Sequence, residues 1–375
     1  MREKSSLFFE TEDSQFKHCI SYYARDKSFT TGGVGATIRD WNHFFNSHLG
    51  LNVTNVFMKN GLQISDSLSE TLFIRHLFRR RVLAFPLNFK FLKRPNTIVY
   101  LHEGWTLSNI VLGIICKFKR VPYVVMPHGV YDPSIIKGLK CFRLRLILEK
   151  FLLKHASFVH VYFKGELNHI KQLQKKAKIK IFPTGISKDL RRGFYWSGSS
   201  NYFLYAGRLD PHFKSLDLLI HAWKILDWDT RLILAGPDYN GGRIQLESLV
   251  DSLEIRNKVI FTGELTQSEL LNIMSCCRGF LHPSRWECYG RSAVESIARG
   301  VPTLISYDMQ LASIPNIDLI AWITRATAPD IAESIYEMSK IEPESFKLKF
   351  DAHQDILFDF LNWSKMQDIL VSSYI

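Results

Sequence analysis

Residues 280–306, FLHPSRWECYGRSAVESIARGVPTLIS, constrain the fold more than any other stretch of this chain. The apolar run ending at Leu281 predicts a buried strand, and the Pro/Ser/Arg segment after it a loop. A helix is expected from Gly290 and a second strand after Gly300-Val301-Pro302. Strand, loop, helix, loop and strand in this order belong to an α/β domain, where ligands sit beyond the carboxyl ends of the strands.

Two carboxylates punctuate the stretch, Glu287 in the loop and Glu295 in the helix. If the eight steps between them were helical they would lie about 12 Å apart along the axis, roughly the span from a sugar through a diphosphate to a ribose. The turn between them, Cys288-Tyr289-Gly290-Arg291, places unpaired backbone N–H groups at a helix N-terminus, where an anion is favoured. A diphosphate carrying a sugar and a nucleoside fits this pattern, and the plain alternative is a pair of solvated acids.

In the form ECYGRSAVESIARGVPTL the pattern resembles the donor-site motif of retaining glycosyltransferases of family four. Glycine, aromatic residue, second Glu, small-residue helix and G-x-P exit all fall in register. The resemblance implies an α/β protein of the GT-B fold, with two Rossmann-like domains facing across a cleft. It spans about residues 19–375 and is strongest over 202–305.

A chain of 375 residues exceeds one ordinary core and suits two domains. An N-terminal, acceptor-side Rossmann-like domain is expected over residues 1–192, with a helix at 358–375 crossing back to it as the resemblance implies. The Gly/Ser-rich 193–200 reads as linker, leaving 201–357 for nucleotide-sugar donor binding. The opening MREKSSLFFETEDSQFK mixes both charge signs and lacks the apolar core of a secretory signal. The longest clean apolar run, residues 110–116, falls far short of the roughly 20 needed to span a bilayer. A cytoplasmic protein, peripheral at the inner face of the plasma membrane, is expected. Six cysteines without C-x-x-C spacing argue for reduced thiols and no structural zinc, and Cys288 is the one placed to line a site.

Charge is unevenly divided. Residues 1–200 hold 32 Lys and Arg against 13 Asp and Glu, a net of +19, whereas the remainder holds 16 against 23, a net of −7. The first half therefore expects an anionic partner: a membrane surface, a phosphate-linked lipid acceptor or nucleic acid. Residues 71–93 interleave Phe and Leu with His76, Arg79, Arg80, Arg81, Lys90 and Lys93, a pattern of either a membrane-surface segment or an ordinary amphipathic helix. The basic residues are spread over 200 positions without a recognised nucleic-acid module, so no nucleic acid is expected.

Along the first half, a strand near residues 19–24 is followed by Gly32 and Gly33 and a helical pattern, half of a Rossmann unit whose glycines admit a phosphate or sugar. A strand at 121–126 delivers Pro127-His128-Gly129 to a strand edge, where His128 is either a site residue or a buried structural histidine. The resemblance implies that His128 touches the donor sugar and the reacting centre. Thr184 stands where the family usually has Asn, and the segment after Ser306 lacks the double glycine of many relatives.

In the second half Arg208 and Lys214 flank a turn after a strand and offer a forked and a point-charge phosphate donor. The resemblance implies that both bind the donor diphosphate, that Gly263 and Leu265 meet the nucleobase, that Glu295 holds the ribose and that Glu287 positions the donor sugar. Asp227-Trp228-Asp229 matches a metal-binding D-x-D pattern, but its place in a connecting turn makes it a chance match, and neither metal nor cofactor is expected.

The function so implied is retaining transfer of a sugar from a nucleotide-diphosphate sugar, such as a UDP- or GDP-sugar, to a hydroxyl of a glycan or lipid-phosphate-linked saccharide acceptor in surface polysaccharide assembly. The alternatives are a GT-B-like epimerase, which would release free sugar without an acceptor, and a non-catalytic basic binding protein.

Overall fold

The computed structural model describes residues 16–26, 32–58, 70–75, 86–136 and 142–374. The chain divides into two compact units, Met1–Thr184 with Trp363–Ile375, and Gly185–Asn362. Each is built on one parallel sheet.

The first unit contains strands β1 (His18–Asp26), β2 (Asn52–Met58), β3 (Glu70–Ile74), β4 (Thr97–His102), β5 (Tyr123–Met126), β6 (Phe158–Val161) and β7 (Ile179–Ile181). Its helices are α1 (Gly33–Ser47), α2 (Leu107–Lys119), α3 (Pro133–Ile136), α4 (Phe142–His155) and α5 (Lys164–Leu173). The sheet order β3-β2-β1-β4-β5-β6-β7 reverses direction between β1 and β4. All six residues of β4, TIVYLH, are buried, as expected of a parallel strand covered on both faces. Helix α2 starts where the Thr106 hydroxyl accepts from the Asn109 N–H, and ends at Arg120 in the left-handed conformation.

The second unit contains β8 (Tyr202–Ala206), β9 (Arg231–Ala235), β10 (Val259–Gly263), β11 (Gly279–His282), β12 (Thr303–Ser306) and β13 (Trp322–Thr324). Between and after them run α6 (Leu216–Leu226), α7 (Gly242–Ser252), α8 (Gln267–Cys276), α9 (Arg291–Ala298), α10 (Ala328–Ser339), α11 (Pro343–His353) and α12 (Asp355–Phe360). The order β10-β9-β8-β11-β12-β13 reverses between β8 and β11. Helix α8 is opened by a reciprocal cap in which Thr266 and Glu269 satisfy each other's backbone N–H groups.

Helix α13 (Trp363–Tyr374) belongs to the first unit. There the Trp363 ring stacks on Phe44 at 4.7 Å and meets Trp41 edge-on at 5.0 Å, and Gln367 donates to the His48 carbonyl. The Trp41 indole N–H donates to the Thr184 hydroxyl, so the residue that departs from the family pattern has a local partner.

The segment 193–200 does not behave as a linker, and the boundary lies earlier, at Thr184. Trp196 is buried, donates to the Cys277 carbonyl at 2.7 Å and packs edge-on against Phe346. Ser197 and Ser200 donate their N–H groups to the Ser275 and Cys276 carbonyls. A buried indole outweighs the local preference of the surrounding Gly and Ser for flexible chain.

The basic stretch 76–85 lies outside the described residues. Among the described residues the largest apolar exposures of the first unit are Phe118 at the end of α2 and Leu144 and Ile147 on α4, beside Lys117, Lys119, Arg143 and Arg145. No described helix is long and apolar enough to cross a membrane.

Candidate active site

In the second unit the loops after β8 and β11 flank the point where the strand order reverses, the place where open α/β sheets leave a crevice. The loop after β8 carries Arg208 and Lys214, and the loop after β11 carries Glu287 through Arg291. Lys214 donates to Glu287 Oε2 across these two loops, with both side chains largely buried. His282, at the end of β11, lies with Nε2 3.5 Å from the same oxygen and Nδ1 3.4 Å from Ser292 Oγ.

Burial alone would push the Glu287 carboxyl up, but Lys214 and His282 together outweigh it and hold the carboxyl well below the usual range. Burial lowers the His282 pKa more than its contact with Glu287 raises it. Tyr205 stacks on His282 at 5.5 Å, and its hydroxyl donates to the Arg208 carbonyl at 2.9 Å. The result is a buried cation, a buried carboxylate and a neutral histidine on one sheet edge.

Gly290 caps α9 with φ +71° and no side chain, so it occupies the left-handed region without the cost a Cβ would bring. A Cβ there would also lie 3.2 Å from Glu287 Cγ. The first turn of α9 thus opens beside the Glu287–Lys214 pair, a favourable place for an anion. Cys288 and Tyr289 are buried immediately before it.

Glu295 lies on α9 itself. It accepts from Arg291 Nε at 2.7 Å and lies 3.6 Å from Arg299 Nη1, so Arg291 is placed against the carboxylate rather than alone in the turn. Arg208 is exposed and stacks on the Tyr239 ring at 4.4 Å. Gly263, with φ +75°, ends β10, and the half-buried Leu265 follows it on the same sheet edge. Asp227, of the D-x-D match, pairs instead with Lys258 at 2.9 Å. No cluster of three or more His, Cys, Asp or Glu suited to a metal occurs among the described residues.

Two features of this edge have no local sequence signal. Arg285 makes a forked ion pair with Asp217 at 2.6 and 2.9 Å and donates to the His212 carbonyl, tying the motif loop to the start of α6. His282 could be noticed only as a histidine closing an apolar strand.

In the first unit Gly32 and Gly33 are exposed at the start of α1, beside the reversal between β1 and β4. His128 is 6% exposed, and both ring nitrogens are engaged: Nε2 with His102 Nδ1 at 3.0 Å and Nδ1 with the Tyr162 hydroxyl at 2.6 Å. His102 Nε2 in turn meets Ser21 Oγ at 2.9 Å. Burial, then the neighbouring imidazoles, holds His128 far below its ordinary pKa, and His102 falls to about 3. His128 is therefore a neutral, internally bonded imidazole here, and the sequence showed neither His102 nor Tyr162 as its partners.

Residues 187–345 match the family described as Glycosyl transferases group 1. An uncharacterized glycosyltransferase of Methanocaldococcus jannaschii, MJ1178, is 26% identical over 212 residues, 54% of this chain and 54% of that protein. The serotype-specific mannosyltransferase WbdA of Escherichia coli is 24% identical over 189 residues, 48% of this chain and 22% of that protein. The chain thus spans about half or less of the length of these relatives. Among solved structures, Anabaena HepE in complex with UDP and glucose superposes with a TM-score of 0.73 at 15% identity, covering 95% of this chain and 99% of the other; the likeness is one of fold.

Proposed function

We infer that this chain, whose residues 187–345 match the glycosyl transferases group 1 and which has the GT-B fold, transfers a sugar from a nucleoside-diphosphate sugar to an acceptor hydroxyl. The observation that carries the reading is the Lys214–Glu287 pair set against the open first turn of α9 at the reversal of the second sheet.

The bond from the anomeric carbon to the diphosphate breaks, a bond to the acceptor oxygen forms, and the acceptor proton leaves with the diphosphate. The departing group gains negative charge, so the catalytic need is positive potential placed in advance. Lys214, Arg208 and the N–H groups of α9 supply it. Lys214 is held by Glu287 until a phosphate competes for it. Glu287 then faces the donor sugar, and Glu295 accepts from the ribose hydroxyls once Arg291 and Arg299 are shared with the ligand. The configuration at the anomeric carbon is proposed to be retained, as in family four. HepE supports a uridine nucleotide as the first donor to try, and WbdA supports a surface polysaccharide as the product.

Thermal unfolding of the purified protein with EDTA present, against UDP, GDP, ADP and CMP, tests the donor site. A ligand that binds only the folded state adds about 2.7 kcal/mol at a hundred times its dissociation constant. One nucleoside diphosphate is expected to raise the transition. A flat response to all four would remove the donor-site reading.

The acceptor is proposed to meet the basic first unit, with the protein resting on an anionic bilayer through Leu144, Ile147 and the Lys and Arg around them. Co-sedimentation with vesicles containing anionic lipid is expected at 50 mM salt and to weaken strongly at 500 mM. Equal binding to zwitterionic vesicles would refute the electrostatic part.

A further inference from the structure

Three non-glycine residues of the first unit take left-handed backbone conformations close together in the fold: Glu103 at φ +66° and Trp105 at +59° after β4, and His128 at +53° after β5. For side chains of this size such conformations cost free energy and persist only where surrounding contacts impose them. One side chain joins the two loops. Glu149, on α4 and 1% exposed, accepts at Oε1 from the Trp105 backbone N–H at 3.1 Å and from the Tyr131 hydroxyl. Its Oε2 is buried and has no hydrogen-bond partner.

The rest of the arrangement closes around that contact. The Trp105 indole N–H donates to the Val130 carbonyl at 2.9 Å, and the Trp105 and Tyr131 rings meet edge-on at 5.5 Å. Asn109 donates to the carbonyls of His102 and Glu103. Gly104 admits no side chain, since a Cβ would lie 2.6 Å from the Tyr131 hydroxyl oxygen.

We propose that Glu149 is a positioning residue, whose buried carboxyl clasps the loop after β4 to the loop after β5 and so holds Trp105 and His128 at the sheet edge in the arrangement the transfer requires. The role rests on the transferase reading given above, but the clasp itself is a property of the first unit. A buried carboxyl with a bare oxygen is a poor choice for stability alone, since an apolar side chain would fill the same space without desolvation. What it supplies instead is a two-donor acceptor aimed at two separate loops.

Burial pushes the Glu149 carboxyl up to about 7, against the donations from Tyr131 and Trp105. The titratable groups packed around it do not compete in that range. Burial raises Tyr131, Tyr123 on β5 and, behind Tyr123, Cys116 on α2, the last to about 12, while His102 sits near 3.

The test compares Glu149→Gln, which keeps an acceptor oxygen for both donors, with Glu149→Leu, which keeps only the bulk. Wild-type protein, 15N-labelled with the Trp105 indole resonance assigned through Trp105→Phe, is expected to show that resonance titrating with a midpoint near pH 7. In Glu149→Gln the resonance should stay near its wild-type position without titrating, and in Glu149→Leu it should move. Transfer by Glu149→Leu should fall about 30-fold in kcat/KM with Glu149→Gln within about 3-fold of wild type, as expected when loss of two hydrogen bonds displaces reacting groups. Nucleoside diphosphate affinity, a property of the second unit, should be unchanged in both. An unmoved indole with undiminished transfer in Glu149→Leu would overturn the proposal, and so would an equal loss of nucleotide binding, which would mean general damage. If the wild-type protein transfers no sugar, the transferase reading fails while the indole titration still decides the clasp.

Discussion

Glu287→Gln should lower sugar transfer by roughly 10²- to 10³-fold, the range seen when one preorganised electrostatic group is removed from an active site, while nucleoside diphosphate binds at least as tightly as to the wild type. The sign of the second effect follows from the pair itself. Lys214 is bonded to the Glu287 carboxylate, so an incoming phosphate must displace or share that partner. A neutral amide at 287 competes less for the ammonium. Lys214→Ala should instead lose both binding and transfer, because it removes the phosphate donor and strands the buried carboxylate. Calorimetry with the diphosphate that stabilises the wild type, alongside initial rates, separates the two. Weaker nucleotide binding by Glu287→Gln would contradict the idea that Lys214 is shared between carboxylate and phosphate. The same pair sets an acid limit: a carboxyl whose folded pKa is depressed contributes stability that is fully present above about pH 4.5 and is lost as the pH falls towards its folded value.

The second large effect is expected at Gly236. This residue leaves β9 with φ +142°, and a Cβ built on it would lie 1.9 Å from the Gly207 carbonyl oxygen. Its N–H donates to the Gly263 carbonyl at 2.8 Å, while the Gly207 N–H donates to the Ala235 carbonyl at 2.9 Å. The loops after β8, β9 and β10 therefore touch backbone to backbone, and no side-chain rotation can relieve a methyl group placed there. Gly236→Ala should cost at least ~3 kcal/mol, the upper range for overpacking, or about 6–12 °C in the Tm of a unit of this size. Gly33→Ala is the control. A Cβ there meets nothing within 4 Å, so that variant should lose no stability, and any loss of activity in it would report a ligand contact. A Gly236→Ala protein that melts with the wild type would show that the three loops are looser than their hydrogen bonds suggest.

How much of this was legible in the sequence depends on the range of the interaction concerned. The strand–loop–helix unit at 280–306 is written in contiguous residues: a buried run at residues 279–282, a glycine that must adopt positive φ at 290, and small residues on the inner face of α9. The two-domain α/β fold follows from repeating that pattern. Spacing also brought Glu287, Gly290 and Arg208 to strand ends, but it could not show that Lys214 would meet Glu287, 73 positions away. Likewise the engagement of both His128 nitrogens depends on His102 and Tyr162, 26 and 34 positions away on other strands and loops. Nothing local to Glu149 distinguishes its buried carboxyl from a solvated charge on a helix. The segment 193–200 misled for the opposite reason: its composition is that of flexible chain, and the burial of Trp196 is decided by Phe346, 150 residues later.

The packing of Trp363 on Trp41 and Phe44 has a consequence for biosynthesis. Helix α1 emerges from the ribosome early, with Trp41 and Phe44 due to be buried in part beneath a helix that begins at residue 363. At about 5–20 residues per second, the rest of the first unit and the whole second unit are translated in between, a wait of roughly 15–65 s. During that time the first unit carries an uncovered aromatic face, so the half of the protein made first is the half completed last.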